Sequence, residues 1–385
     1  MSTHVQIKEV FQMAIKKIDK NKWKLILEKG TDSNGTRIRV CETYIGLKQE
    51  AEARFAQMKV EIKGGYYIEN KKITMEKLLN DWLENAKLTI APKTYDTYKI
   101  YTKNIVKCIG HIELKNINPK ILEDFYNELR VNTKYSPKTI LHHYNIINTS
   151  LNKGVLWGYI ISNPNFKVQK PKVPKTEVVC YTPDEVKVLL KALQDEPLKY
   201  QALIYLAIDS GARRGEIIGL NWSDIDFSGS TININKSIQY TPEKGIFEKS
   251  TKTENSNRKI YISDITLNIL KKYQSEQLRH RLILGSKWTQ NDRVFTTEFG
   301  STMHPDSAGD ILDRVTKKHA IKRVNFHALR HTSISLMIAS GIQAQIISKK
   351  SGHSSIQTTH NIYSHFYEQE FKDTANKMNE FLQVK

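Results

Sequence analysis

Residues 325–332 read Asn-Phe-His-Ala-Leu-Arg-His-Thr, and residues 351–365 read Ser-Gly-His-Ser-Ser-Ile-Gln-Thr-Thr-His-Asn-Ile-Tyr-Ser-His. The first stretch sets His327 and Arg330 three apart, on one face of any helix it forms. The second sets Tyr363 ten residues beyond His353. Upstream, Gly211-Ala212-Arg213-Arg214-Gly215-Glu216 closes a mostly apolar run at 198–211 (LKYQALIYLAIDSG) that reads as a buried helix. Lys252 stands between Thr251 and Thr253, in a polar turn between two strand-like runs.

Each group taken singly has an ordinary structural explanation. An arginine in a glycine-rich turn is usually a surface residue. HALRH suits a helix carrying two solvated basic side chains, and Gly-His-Ser-Ser suits a helix start capped by serine. Tyr363 is one of 18 tyrosines, a residue type that packs more often than it reacts. Together they meet the needs of phosphodiester cleavage by a side chain. A nucleophile must lie in line, cations must neutralise the non-bridging oxygens, and the departing 5′ oxygen must receive a proton. The arginine fork binds phosphate bidentately and stays charged, and lysine or histidine can deliver the proton.

Composition points the same way. Lys and Arg number 59 against 40 Asp and Glu, a net charge of +19, which suits a polyanionic partner. Nucleic acid is the first candidate and an anionic membrane surface the second. Cys41, Cys108 and Cys180 are scattered and odd in number, which argues against a disulfide framework or a structural zinc site and fits a reducing cytoplasm. No run reaches the length of a membrane span, and Lys8 and Glu9 interrupt the N-terminal stretch where a signal peptide would be apolar. His142-His143 reads as a solvated or core pair, because no further metal-ligand cluster lies nearby.

The chain reads as a multidomain protein. Residues 1–70 contain a β-hairpin turning at Asn34-Gly35, then a helix stopped at Gly64-Gly65. The basic excess there favours strands laid in a DNA groove, with a protein-contacting accessory domain as the alternative. Residues 73–165 read as all helix, with two helices opening on Pro92-Lys93-Thr94 and Pro137-Lys138-Thr139. Those openings suit either phosphate contacts or ordinary capping. The linker 166–176 alternates Lys167, Lys170, Lys172 and Lys175 with Pro171 and Pro174, as a segment crossing a DNA backbone or a solvated spacer would. Residues 177–370 form a mixed α+β domain, with the strands STININKSIQY, GIFEKS and RKIYIS expected in one small sheet. The tail 371–385 has apolar residues at helical spacing.

In order and spacing, GARRGEIIGLNW-SDID, STKTENSNRKIYI, HALRHT and GHSSIQTTHNIYSH closely resemble the tyrosine recombinase (phage integrase) family. Arg213, Lys252, His327, Arg330, His353 and Tyr363 match the family pattern residue by residue. Two departures touch no catalytic position: Gly215 stands where serine is commoner, and Ser351 where leucine often precedes Gly-His. The resemblance implies a three-stranded sheet plus helix that binds arm-type DNA, an all-α core-binding domain and a mixed α+β catalytic domain. The arm domain is similar to that of integrases from Gram-positive phages and conjugative transposons.

By that resemblance Tyr363 attacks the scissile phosphate, forming a 3′-phosphotyrosyl bond. Arg213 and Arg330 hold the non-bridging oxygens, Lys252 protonates the 5′ oxygen, His327 accepts the tyrosine proton and His353 donates a hydrogen bond. Glu216 orients Arg213. The implied partners are double-stranded DNA at core and arm sites and three further copies of the chain in a tetramer, with an excisionase or host DNA-bending protein as accessory candidates. The tail would dock on a neighbouring protomer or on its own domain. No cofactor is implied, since arginines take the place of a metal and the sequence has no Walker motif or acidic triad for Mg²⁺. A type IB topoisomerase-like enzyme and a catalytically silent DNA-binding protein are the competing readings. The arm domain argues against the first and the complete set of six against the second.

Overall fold

The computed structural model describes residues 14–31, 35–64, 72–131, 135–174, 179–250 and 257–352, together with Leu382. The chain divides into two compact units, 1–175 and 176–385. None of the helices described is long and apolar enough to cross a membrane.

The first unit opens with an antiparallel sheet of β1 (Ala14–Asp19), β2 (Lys22–Thr31) and β3 (Arg37–Ile45), in that order. Two strands were legible in the residues themselves, whereas β1 came only with the resemblance, because its AIKKID sequence has no clear alternation. Helix α1 (Lys48–Lys63) lays Ala51 and Met58 against Leu25, Leu27 and Val40. Strand pairing places Lys24 opposite both Lys16 and Thr43, and Lys22 opposite Ile45. Side chains alternate across a pleated sheet, so these exposed residues share the face turned away from Leu25 and Leu27.

Four helices follow: α2 (Met75–Lys87), α3 (Pro92–Ile109), α4 (Pro119–Val131) and α5 (Pro137–Leu156). Each of the last three begins on proline, whose fixed φ and missing N–H are harmless in a first turn. Ser136 caps α5 by accepting from the Thr139 N–H, an ordinary cap, whereas Ala91 gives α3 no side-chain cap. Leu78, Leu79, Ile105, Leu122 and Ile147 form the buried centre, which extends to Val168. The Tyr126 hydroxyl donates to Asn165 Oδ1 at 2.8 Å and ties the 3₁₀ turn Pro164–Lys167 to α4.

His143 is a core histidine. Its ring is fully buried among Tyr101, Phe125 and Tyr135, with a centroid distance of 4.7 Å to Tyr101. Nδ1 donates to the Thr139 carbonyl at 2.9 Å, while Nε2 finds no partner among the described residues.

The second unit begins with α6 (Pro183–Ala192), whose capping box is formed as its sequence requires: the Thr182 N–H donates to Glu185 at 2.8 Å and the Glu185 N–H to Thr182 Oγ1 at 3.2 Å. Helix α7 (Leu198–Ser210) is apolar on nearly every side because it runs through the core against α9 (Asp264–Leu284) and α11 (Phe326–Ala339). The short α8 (Arg214–Ile218) follows, and α10 (Ser307–Lys318) and α12 (Ala344–Ser351) complete the described helices.

The strands differ from the single sheet expected. STININKSIQY breaks at Asn235 into β5 (Thr231–Ile234) and β6 (Lys236–Thr241). Strand β5 joins β4 (Ile225–Asp226) and β8 (Arg258–Tyr261) in one sheet, while β6 pairs with β7 (Gly245–Ser250) in another among the described residues. The cause is local. Asp224 accepts from Asn235 at 3.1 Å and pairs with Lys236 at 2.9 Å, turning the chain at that point.

Burial holds the pKa of His143 below its ordinary value. The unfolded chain therefore takes up the proton first, so the stability this group contributes is present above the unfolded histidine pKa and is lost as pH falls. Thermal melts followed by circular dichroism should show the first unit's midpoint falling between about pH 7 and about pH 5. His143→Leu should flatten that slope, and an equal slope in the variant would exclude His143 as its source.

Candidate active site

Three of the six sequence-assigned residues, Arg213, His327 and Arg330, fall on described parts of the chain and come together. Lys252, His353 and Tyr363 lie outside the described residues, as does the 371–385 tail apart from Leu382.

Helix α7 ends because Gly211 adopts a left-handed φ of +60°, donating its N–H to the Ala207 carbonyl. A Cβ there would lie 3.0 Å from Ser333 Oγ. The turn sends Arg213 out in an extended conformation just before α8 starts. Glu216 caps α8, its carboxylate accepting from the Arg213 backbone N–H at 2.9 Å and from Arg213 Nη1 at 3.0 Å. The expectation that Glu216 orients Arg213 therefore has a direct geometric counterpart. Gly215 also has a reason: a Cβ would sit 2.6 Å from the Ile238 carbonyl, because β6 packs tightly against α8. Serine has no room at this position.

Arg330 and His327 project from the first turns of α11, capped by Asn325 accepting from the Ala328 N–H. Arg330 is buried and donates Nη1 to the carbonyls of Gly211 and Ser351, at 2.8 and 2.6 Å. Arg213, 44% exposed, donates Nη2 to the Gly352 carbonyl at 2.9 Å. Both guanidiniums thus hold the C-terminal end of α12, immediately before His353. His327 is exposed as a residue. Partial burial of its ring, and then the charges of Arg330, Arg213 and Arg214, hold its pKa below the ordinary value. His331 packs edge-on against it at 4.8 Å and is brought down to about 4 by burial, then by His327 and Arg330. Both rings are neutral at physiological pH, and a neutral His327 has a lone pair with which to accept a proton.

Sequence reasoning missed Arg258. Its side chain is 6% exposed and pairs with Glu216, itself 4% exposed, at 2.8 Å. It also donates Nε to the Lys350 carbonyl at 2.8 Å. The signal was present in the strand: β8 alternates inward and outward, and Arg258 shares the inward phase with Ile260. Arg258 also accounts for the glycine of Gly-His. Gly352 has φ +69°, and a Cβ would fall 2.8 Å from the Arg258 guanidinium. Burial alone would raise the Glu216 pKa, but hydrogen bonds and charge from Arg258, then Arg213, outweigh it and keep the carboxylate ionised.

Beside His327 opens a cleft of about 860 Å³ whose walls include Arg214, Asp306, Asp310 and Asp313. Asp306 pairs with Arg214 at 2.7 Å and Asp313 with Arg323 at 2.6 Å. Among the described residues no group of three His, Cys, Asp or Glu is placed to hold a metal ion.

Residues 180–370 match the phage integrase family, and residues 74–130 match the N-terminal SAM-like domain of phage integrases. A tyrosine recombinase XerC-like protein of Caldanaerobacter subterraneus subsp. tengcongensis is 30% identical over 371 residues, covering 91% of this chain and 94% of that protein. The ICEBs1 integrase of Bacillus subtilis is 25% identical over 381 residues, 96% of this chain and 100% of its own length. In fold, the chain is similar to the Tn1549 transposon integrase solved with a circular intermediate DNA, with a TM-score of 0.68, 17% identity, and coverage of 78% of this chain and 99% of that one.

Removing Glu216 should leave Arg258 charged, buried and without its carboxylate. Glu216→Ala is expected to destabilise the second unit by about 3–5 kcal/mol, read from urea unfolding. A change within the range of ordinary surface substitutions would show that the pair does not hold the unit together.

Proposed function

Because the chain belongs to the tyrosine recombinase (phage integrase) family, we propose that Tyr363 is the nucleophile of its strand-cleavage chemistry. The protein is a site-specific DNA recombinase of the integrase type, an enzyme of mobile genetic elements. The observation that supports the residue assignment is that Arg213 and Arg330 donate to the carbonyls of Gly352 and Ser351, just before His353, with His327 close enough to both guanidiniums to feel their charge.

In this reading the scissile phosphate of double-stranded DNA binds at Arg213 and Arg330. Tyr363 attacks phosphorus, the bond to the 5′ oxygen breaks, and a 3′-phosphotyrosyl bond takes its place. His327 accepts the phenol proton, Lys252 protonates the departing 5′ oxygen and His353 donates a further hydrogen bond. A tyrosine with a pKa of about 10 is a poor nucleophile without such help. Losing one preorganised donor to the developing charge typically costs on the order of 10²–10³ in rate. The reverse attack by a 5′ hydroxyl rejoins the strand, so the covalent bond conserves the phosphodiester energy and no nucleotide is consumed.

The first unit would choose the DNA. Lys16, Lys22 and Lys24 on the open face of the arm sheet suit an arm site, and the α2–α5 domain suits the core site. The domain limits that go with this reading are 1–70, 73–165, the basic linker 166–176, 177–370 and the tail 371–385. Four protomers would assemble the synapse, with the tail docking between them. An excisionase or a host DNA-bending protein would bias the outcome toward excision or integration of a prophage or transposon. The site of action would be the cytoplasm.

Tyr363→Phe should bind its site yet leave no protein attached to a nicked suicide substrate. A persistent covalent complex would overturn the nucleophile assignment, and supercoil relaxation without recombination between paired sites would favour a topoisomerase. Lys252→Ala should cleave an ordinary phosphodiester slowly but regain most of its rate when sulfur replaces the bridging 5′ oxygen, because a thiolate leaves without a proton. An equal deficit on both substrates would remove Lys252 from the proton-donor role.

A further inference from the structure

Arg258 joins the parts of the chain on which the site depends. Its guanidinium meets Glu216, the carboxylate that also receives the side chain and backbone N–H of Arg213. Its Nε holds the Lys350 carbonyl in the last turn of α12, two residues before the Gly352 carbonyl that Arg213 itself grips. It is also the first residue of β8, and residues 251–257, which include Lys252, separate that strand from β7 in sequence.

We infer that Arg258 is a positioning residue for strand cleavage, setting Arg213 through Glu216 and fixing the end of α12 from which His353 and Tyr363 follow. The inference rests on the reading of Arg213 as a phosphate ligand. A solvent-exposed arginine on a flexible side chain would wander among rotamers. Arg213 has a backbone and a side-chain bond to one carboxylate, and that carboxylate is pinned from the far side by a buried cation. The order of burial matches this division of work. Arg258 and Glu216 are 6% and 4% exposed, whereas Arg213, the group that would meet DNA, is 44% exposed. Gly352 completes the arrangement, since any Cβ there would displace the Arg258 guanidinium.

A lysine at this position keeps the buried charge but cannot serve Glu216 and the Lys350 carbonyl from one planar fork. Full-length Arg258→Lys, Arg213→Lys and the double variant are compared in single-turnover formation of covalent complex on a nicked suicide substrate. DNA affinity and melting midpoint are measured in parallel. Misplacement of a reacting group by an ångström can cost about 10²-fold in rate. Arg258→Lys should therefore lose about that much cleavage with DNA affinity retained. The double variant should be no slower than Arg213→Lys alone, because both changes remove one function. Cleavage by Arg258→Lys at the wild-type rate, or losses that multiply in the double variant, overturns the positioning role. Near-normal cleavage by Arg213→Lys would instead count against the reading of the site itself. If Arg258→Lys does not fold, Glu216→Gln, isosteric and uncharged, breaks the same link from its other side and enters the same cycle.

Discussion

A buried carboxylate cannot stay ionised without cations, and Glu216 has two, Arg258 behind it and Arg213 in front. Much of the second unit follows from that constraint. The left-handed turn at Gly211 ends α7 so that Arg213 and Glu216 can start α8. The side-chain-free Gly215 lets β6 close on α8, and Gly352 leaves room for the Arg258 guanidinium. Desolvating an ion pair is costly unless each partner is fully hydrogen-bonded. Here the remaining bonds go to backbone, at the Arg213 N–H and the Lys350 carbonyl. The ion pair thereby ties β8, α8 and α12 to one another, three elements distant in sequence.

The two arginines assigned to phosphate divide their tasks. Arg330 is buried and spans the carbonyls of Gly211 and Ser351, so it ties the end of α7 to the end of α12. Arg213 reaches outward from the same place. His327, set among them, bears the cost: its protonated form is disfavoured by burial and by like charge. In the proposed cleavage step such a group would take a proton only transiently, from a nucleophile whose negative charge those same cations would stabilise.

Much of this was legible in the residues. The boxes around Arg213, His327-Arg330 and His353-Tyr363 have a spacing that no single structural role explains, and the capping box at Thr182 is formed in the structure. Arg258 escaped because the burial of a charged residue depends on a partner 42 positions away, which local pattern does not reveal. The break at Asn235 escaped for a similar reason. STININKSIQY keeps its alternation except at Lys236, and the partner that turns the chain there, Asp224, lies outside the strand's own pattern. The core role of His143 was one of the alternatives the sequence offered, and its aromatic surroundings select it. Strand β1 lacks alternation, and its pairing with β2 supplies what its own sequence does not.

The division of the chain into two compact units has a consequence for how it could recognise DNA. Two modules on one chain convert the second binding event into an intramolecular one, governed by an effective concentration rather than by bulk dilution. Neither unit then has to bind tightly alone. Modest affinity at each permits one to release while the other remains engaged, so a protein of this kind could exchange strands within an assembly that does not fall apart.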